Sequence, residues 1–220
     1  MRTARDIFRK MQELTSEMVG IPVCIDQNYP VMKTLHENRC RVEIEAPNAT
    51  VALKAVPYAQ MYEELNKRRS FNIKMVDGAL ISMQYEFQND GLVSHRLCYF
   101  PSPDLSDFQE MADEYEADDI YVDIVDPRIV TVPIRFDYDN REGVVKELEH
   151  PASHLTLGQY KNCRIPVSRP IMPHHFIHFI IRNFYHTTYR DFCSKLSFPT
   201  EMFECTITDK EKSVLHIAQE

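Results

Sequence analysis

Apolar and polar positions along the chain follow two periods, one near 3.6 residues and one of two, and the switches between them mark the elements. Residues 4–19 (ARDIFRKMQELTSEMV) carry apolar side chains at helical spacing and predict a helix stopped at Gly20-Ile21-Pro22. "CRVEIEA" (40–46) alternates as a strand. "PYAQMYEELNKRR" (57–69) opens on proline and ends on basic residues, which suits a helix and its dipole. The clearest two-residue period follows. In "ALISMQYEFQ" (79–88), Ala79, Ile81, Met83, Tyr85 and Phe87 share one face and Leu80, Ser82, Gln84 and Glu86 the other. Asn89-Asp90-Gly91 is a turn signal and "LVSHRLCYF" (92–100) returns, so the segment predicts a hairpin.

Further strands are predicted at "IVTVPIRFDYD" (129–139), "SHLTLG" (153–158), "CRIPV" (163–167) and "MFECTIT" (202–208). A long helix is predicted from Pro173 to Leu196, with a polar tail at 209–220. Strands dominate the middle of the chain and helices its ends. The expectation is a single α+β domain over residues 1–220, its mainly antiparallel sheet flanked by an N-terminal helix and a long C-terminal helix.

Composition and charge add further constraints. With 44% hydrophobic and 26% charged residues, the chain has material for a real core and no run long enough to span a membrane. The opening residues read as an amphipathic helix rather than a secretory leader, so a cytoplasmic protein is expected. Six scattered cysteines, with no CxxC pair, predict reduced and mostly buried thiols. The net charge of −8 argues against non-specific coating of nucleic acid. The charge is uneven, however. Residues 101–126 form an acidic excursion without a basic residue, and the rest of the chain is close to neutral, leaving room for a local basic site.

Candidate chemistry gathers between residues 134 and 190. In "IRFDYD", Ile134, Phe136 and Tyr138 point to one face and Arg135, Asp137 and Asp139 to the other. If "SHLTLG" pairs with this strand and turns its leucines to the core, His154 and Thr156 join that polar face. Such a face can bind phosphate, hold a divalent cation (Mg²⁺ or Mn²⁺) on Asp137 and Asp139, or supply an acid and a base. A solvent-exposed face with local ion pairs explains the pattern equally well. Proline after His150 restricts it to extended backbone, so it meets His154 only if the turn folds back. Along the long helix, His175, His178, Arg182, His186 and Arg190 form a stripe suited to a nucleic-acid backbone or to a plain outer face. Asp77 with Glu86 offers a nuclease-like carboxylate pair without its lysine, and Arg182 with His186 a closely spaced Arg/His pair. No phosphate-cradling glycine loop or Gly-x-Ser-x-Gly elbow occurs.

Taken together, "VPIRFDYD", "HPASHLTLG", "NCRIPV" and "PHHFIHFIIRNFY" resemble an uncharacterised bacterial domain-of-unknown-function family, some members of which are encoded beside a helicase in anti-phage defence cassettes. The resemblance implies a defence component with a helicase partner and brings no catalytic residues. A weaker similarity, carried by Arg135-Phe-Asp137 and His150…His154, extends to small toxins of toxin–antitoxin pairs. The expected function is therefore a nuclease or toxin effector acting on DNA or RNA. Asp137, His150 and His154 would be catalytic, and Arg135, Thr156, Arg164, His178 and Arg182 would contact substrate. The alternative is a non-catalytic adaptor or sensor that binds the helicase through the acidic segment and the long helix.

Overall fold

A computed structural model describes residues 3–45, 56–104, 132–160, 162–198 and 200–219. The acidic excursion from residue 105 onward, and the first residues of the strand expected from 129, lie outside the described residues. Helix α1 (Ala4–Val19) is capped by Thr3, whose hydroxyl accepts from the Asp6 amide while the Asp6 carboxylate accepts from the Thr3 amide. It buries Ile7, Met11, Leu14 and Met18 along one stripe. Helix α2 (Tyr58–Lys67) starts after Pro57.

Among the described residues nine strands form one sheet: β1 (Cys24–Gln27), β2 (Pro30–Thr34), β3 (Arg39–Ile44), β4 (Ile73–Met75), β5 (Leu80–Gln88), β6 (Gly91–Phe100), β7 (Ile134–Asp139), β8 (Ser153–Leu157) and β9 (Ile165–Pro166). All pairings between these strands are antiparallel, in the order β1-β4-β5-β6-β7-β8-β9, with β3 joining the free edge of β5 and β2 pairing with β3. The fold is α+β. The expected hairpin closes through Asn89 and Asp90, both in the left-handed region (φ 49° and 63°), the two-residue turn that matches strand twist. Strands β1, β2 and β4, of three to five residues, were not among the strands expected from the pattern.

The long C-terminal helix is two helices. Helix α3 (Pro173–Phe184) ends at Tyr185, whose backbone (φ −135°, ψ 60°) breaks the ladder, and α4 (His186–Phe192) follows. Neither proline nor glycine marks this break. The Tyr185 hydroxyl donates instead to the Asp77 carboxylate at 2.8 Å, beside the Tyr99 hydroxyl at 3.2 Å, so a part-buried polar contact holds the bend. Residues 202–208 are irregular rather than a strand, although the Thr206 and Ile207 amides both donate to the Ser168 carbonyl. The segment read as a polar tail packs back: α5 (Asp209–Lys212) is capped by Thr208, and Ile217 bridges Val167. All six cysteines are free, but only Cys98 is buried and Cys205 is exposed.

The two faces of the sheet serve different ends. Helices α1 and α3 cover the face that carries Met83, Tyr85, Leu97, Phe136 and Leu155, with Phe136 edge-on to Phe176 and Phe179 at 6.0 and 5.4 Å. On the opposite face, α2 covers only one end, packing Met61, Tyr62 and Leu65 on Leu80, Cys98 and Phe100. Among the described residues no helix covers the rest of that face.

Candidate functional site

Register decides what the open face presents. Asp137 lies opposite Arg96 on β6 and His154 on β8, and Gln84 continues the row on β5. One row toward α2 stand Ser82, Cys98, Arg135 and Thr156. One row away stand Arg41, Glu86, Ser94 and Asp139. The pairing expected of "IRFDYD" and "SHLTLG" is therefore observed, in register. The Asp137 row, the Arg41–Asp139 row and Arg135 floor a cleft of about 380 Å³, which His150, Arg141 and Arg164 wall from the 140–150 turn and the approach to β9.

The buried carboxylate of Asp137 organises the floor. It accepts from Arg96 Nε at 2.9 Å and from Arg135 Nε at 2.5 Å. Burial opposes its ionisation, but the two guanidiniums outweigh that and hold its pKa below the usual carboxylate range. Both arginines bond through Nε, and among the described residues no hydrogen bond engages their Nη atoms. The remaining carboxylates are likewise paired, Asp139 with Arg141 and Glu86 with Arg41, the latter at 2.7 Å. Among the described residues the cleft lining carries five arginines against three carboxylates, on a chain whose net charge is −8.

The two histidines share one arrangement. His154 Nδ1 lies 2.9 Å from the Pro151 carbonyl, and His150 Nδ1 lies 2.7 Å from the Val144 carbonyl. A carbonyl only accepts, so each Nδ1 carries the proton and each Nε2 is the basic nitrogen of the neutral ring. The turn does fold His150 back, with a short bridge to Lys146 and ring centroids 5.0 Å from His154. Burial pushes the His154 pKa below the ordinary histidine range, against opposing pulls from its Pro151 hydrogen bond and Asp137. Its Nε2 stands 3.8 Å from Asp137 Oδ2, so the carboxylate would stabilise an imidazolium formed there.

The expected residues divide cleanly. Arg135, Asp137, Asp139, His150, His154 and Arg164 line one cleft. Thr156 stands on the same face beside Arg135, but buried and outside the cleft lining. His178 and Arg182 do not join them, because α3 packs on the other face of the sheet; His178 is buried against Phe198 and Tyr189. Asp77 and Glu86 share no site, since Asp77 bonds Tyr185 while Glu86 lines the cleft. As a cation site, Asp137 and Asp139 are both already held by arginines, and no group of three or more His, Cys, Asp or Glu suited to a metal forms among the described residues. Strand patterning missed Arg96, Arg41 and Arg141. The alternation of Ser94 and Arg96 in "LVSHRLCYF" carried the signal for the first of these.

No described helix is long and apolar enough to cross a membrane. Comparison with curated proteins and with solved structures gives no match. A family model described as "Uncharacterized conserved protein (DUF2290)" matches residues 23–219, nearly the whole chain that builds the sheet and the cleft. The chain belongs to this family.

Proposed function

We propose that the chain is a nucleic-acid-cleaving effector whose cleft holds a phosphodiester and breaks it by proton transfer through His154 and His150. The observation that carries this reading is the pair of imidazoles, each pinned at Nδ1 by a backbone carbonyl, at the edge of an arginine-lined cleft. Arg96, Arg135 and Arg164 meet the phosphate oxygens, and guanidinium forks suit that geometry. His154, neutral through burial, acts as the base, and Asp137 stabilises the cation that results. His150, at the outer wall, acts as the acid. A divalent cation would have to displace a guanidinium from Asp137 or Asp139, so the metal-free reading is preferred. The resemblance to defence-cassette proteins supports reading this effector as the partner of a helicase that delivers or remodels the nucleic acid, in an anti-phage role.

The test is cleavage of labelled oligonucleotides by the full chain in EDTA, at a series of pH values. The expected result is cleavage that survives chelation and falls at least a hundredfold in His154→Gln and in His150→Gln, with unchanged circular dichroism. Full loss in EDTA with recovery in Mg²⁺ or Mn²⁺ would overturn the metal-free mechanism. Unaltered defence activity in both folded variants would favour the adaptor instead.

A further inference from the structure

Resting on the reading that the cleft cleaves a phosphodiester, we propose that its substrate is RNA, cut by attack of the ribose 2′-hydroxyl on the adjacent phosphorus. The argument starts from what the cleft can and cannot activate. Attack by water on a phosphodiester needs a strongly activated hydroxide and a neutralised leaving oxygen, and bound metal ions are the usual source of both. In this cleft Asp137, Asp139 and Glu86 each accept from at least one guanidinium, so a metal ion would have to compete with arginine at every carboxylate. Two imidazole Nε2 atoms and an excess of guanidinium charge remain. That set suits a nucleophile already tethered beside the phosphorus, where effective molarities reach about 10⁵–10⁸ M and general acid–base catalysis suffices. Ribose supplies such a hydroxyl and deoxyribose does not.

The step balances without a co-reactant. His154 Nε2 takes the 2′-hydroxyl proton as the 2′-oxygen bonds to phosphorus. The bond from phosphorus to the 5′-oxygen breaks, and protonated His150 gives its Nε2 proton to that departing oxygen. Charge on the non-bridging oxygens falls to Arg96 and Arg135, whose Nε atoms are anchored by Asp137 and whose orientation is thereby set in advance. The products are a 2′,3′-cyclic phosphate and a 5′-hydroxyl.

Four end-labelled oligonucleotides of one sequence test the proposal with the full chain in EDTA: RNA, DNA, DNA with one internal ribonucleotide, and 2′-O-methyl RNA. The expected result is cleavage of RNA, cleavage of the mixed strand only 3′ of its ribonucleotide, and rates at least a thousandfold lower for the other two. Mass spectrometry should find the cyclic phosphate. Comparable cleavage of DNA or 2′-O-methyl RNA, or 5′-phosphate ends, would overturn the RNA inference while leaving a phosphodiester-cleaving cleft in place. No cleavage of any strand would overturn both readings together.

Discussion

Replacing Asp137 by asparagine is expected to move stability and anion affinity in opposite directions. The carboxylate is buried and takes one charged hydrogen bond from Arg96 and one from Arg135. Hydrogen bonds to charged groups contribute about 1.5–3 kcal/mol each. The two arginine side chains remain 30% and 28% exposed, however, so water recovers part of the loss, and the asparagine oxygen keeps one acceptor. The net destabilisation comes to about 2–3 kcal/mol, or about 4–12 °C in Tm for a chain of this length. The same change removes one negative charge from a cleft where the arginines already predominate. An anion about 6 Å away gains on the order of 1 kcal/mol at an intermediate dielectric, a five- to tenfold tightening. Thermal melts at pH 7 and titration with inorganic phosphate by calorimetry measure both quantities. A Tm within 2 °C of the parent, or a phosphate affinity that falls, would refute the assignment of Asp137 as the anchor of the two guanidiniums.

Three further outcomes follow from the same structure. Burial lowers His178 to about 4 and His95 to about 3, so the folded rings refuse protons that the unfolded chain binds below about 6.5. Stability should therefore fall as pH drops from 6.5 toward those values, by ~1.4 kcal/mol per pH unit for each ring, and His95→Gln, which still accepts from the Ile171 amide, should remove one such increment in urea titrations at pH 7 and 5; an unchanged slope counts against it. Gly158 has φ +61°, and a Cβ there would sit 3.1 Å from Val132 Cγ1, so Gly158→Ala should cost about 1–2 kcal/mol, read as a lower urea midpoint at constant m. Tyr185→Phe removes a donor from the half-buried Asp77, whose pKa burial already raises, and should lower stability by about 1–3 kcal/mol; an unaltered melt would mean that the bend after α3 does not depend on this contact.

The alternation of "IRFDYD" and "SHLTLG" was enough to put His154 and Thr156 on one face with Arg135, Asp137 and Asp139, because strand side chains alternate strictly and one face of each strand is apolar; the register that sets Asp137 opposite His154 and Arg135 opposite Thr156 came from the structure. The same logic could not reach Arg41, Arg141 or Glu86. Their convergence depends on β3 joining β5 and on the shape of the 140–150 turn, and both are long-range choices. The histidine stripe misled for a related reason. An imidazole is small and can be buried neutral, and the apolar surface of α3 is broad enough to carry His174 and His178 inward with Phe176 and Ile177. The break at Tyr185 left no local mark, since its cause, Asp77, lies 108 residues away in sequence.

The division of the open face has a consequence for the order of assembly. Strands β5 and β6 meet through a two-residue turn, so their half of the floor can form as soon as the hairpin does. The other half must travel: Arg96 and Asp137 are 41 residues apart, and His154 joins only after β8 pairs with β7. Closing a loop of that length carries an entropic cost, so the arginines and histidines come together only when β7 and β8 have joined the hairpin. Under the proposed nucleic-acid-cleaving reading, the contacts that close the longest loops are then also the ones that complete the active cleft.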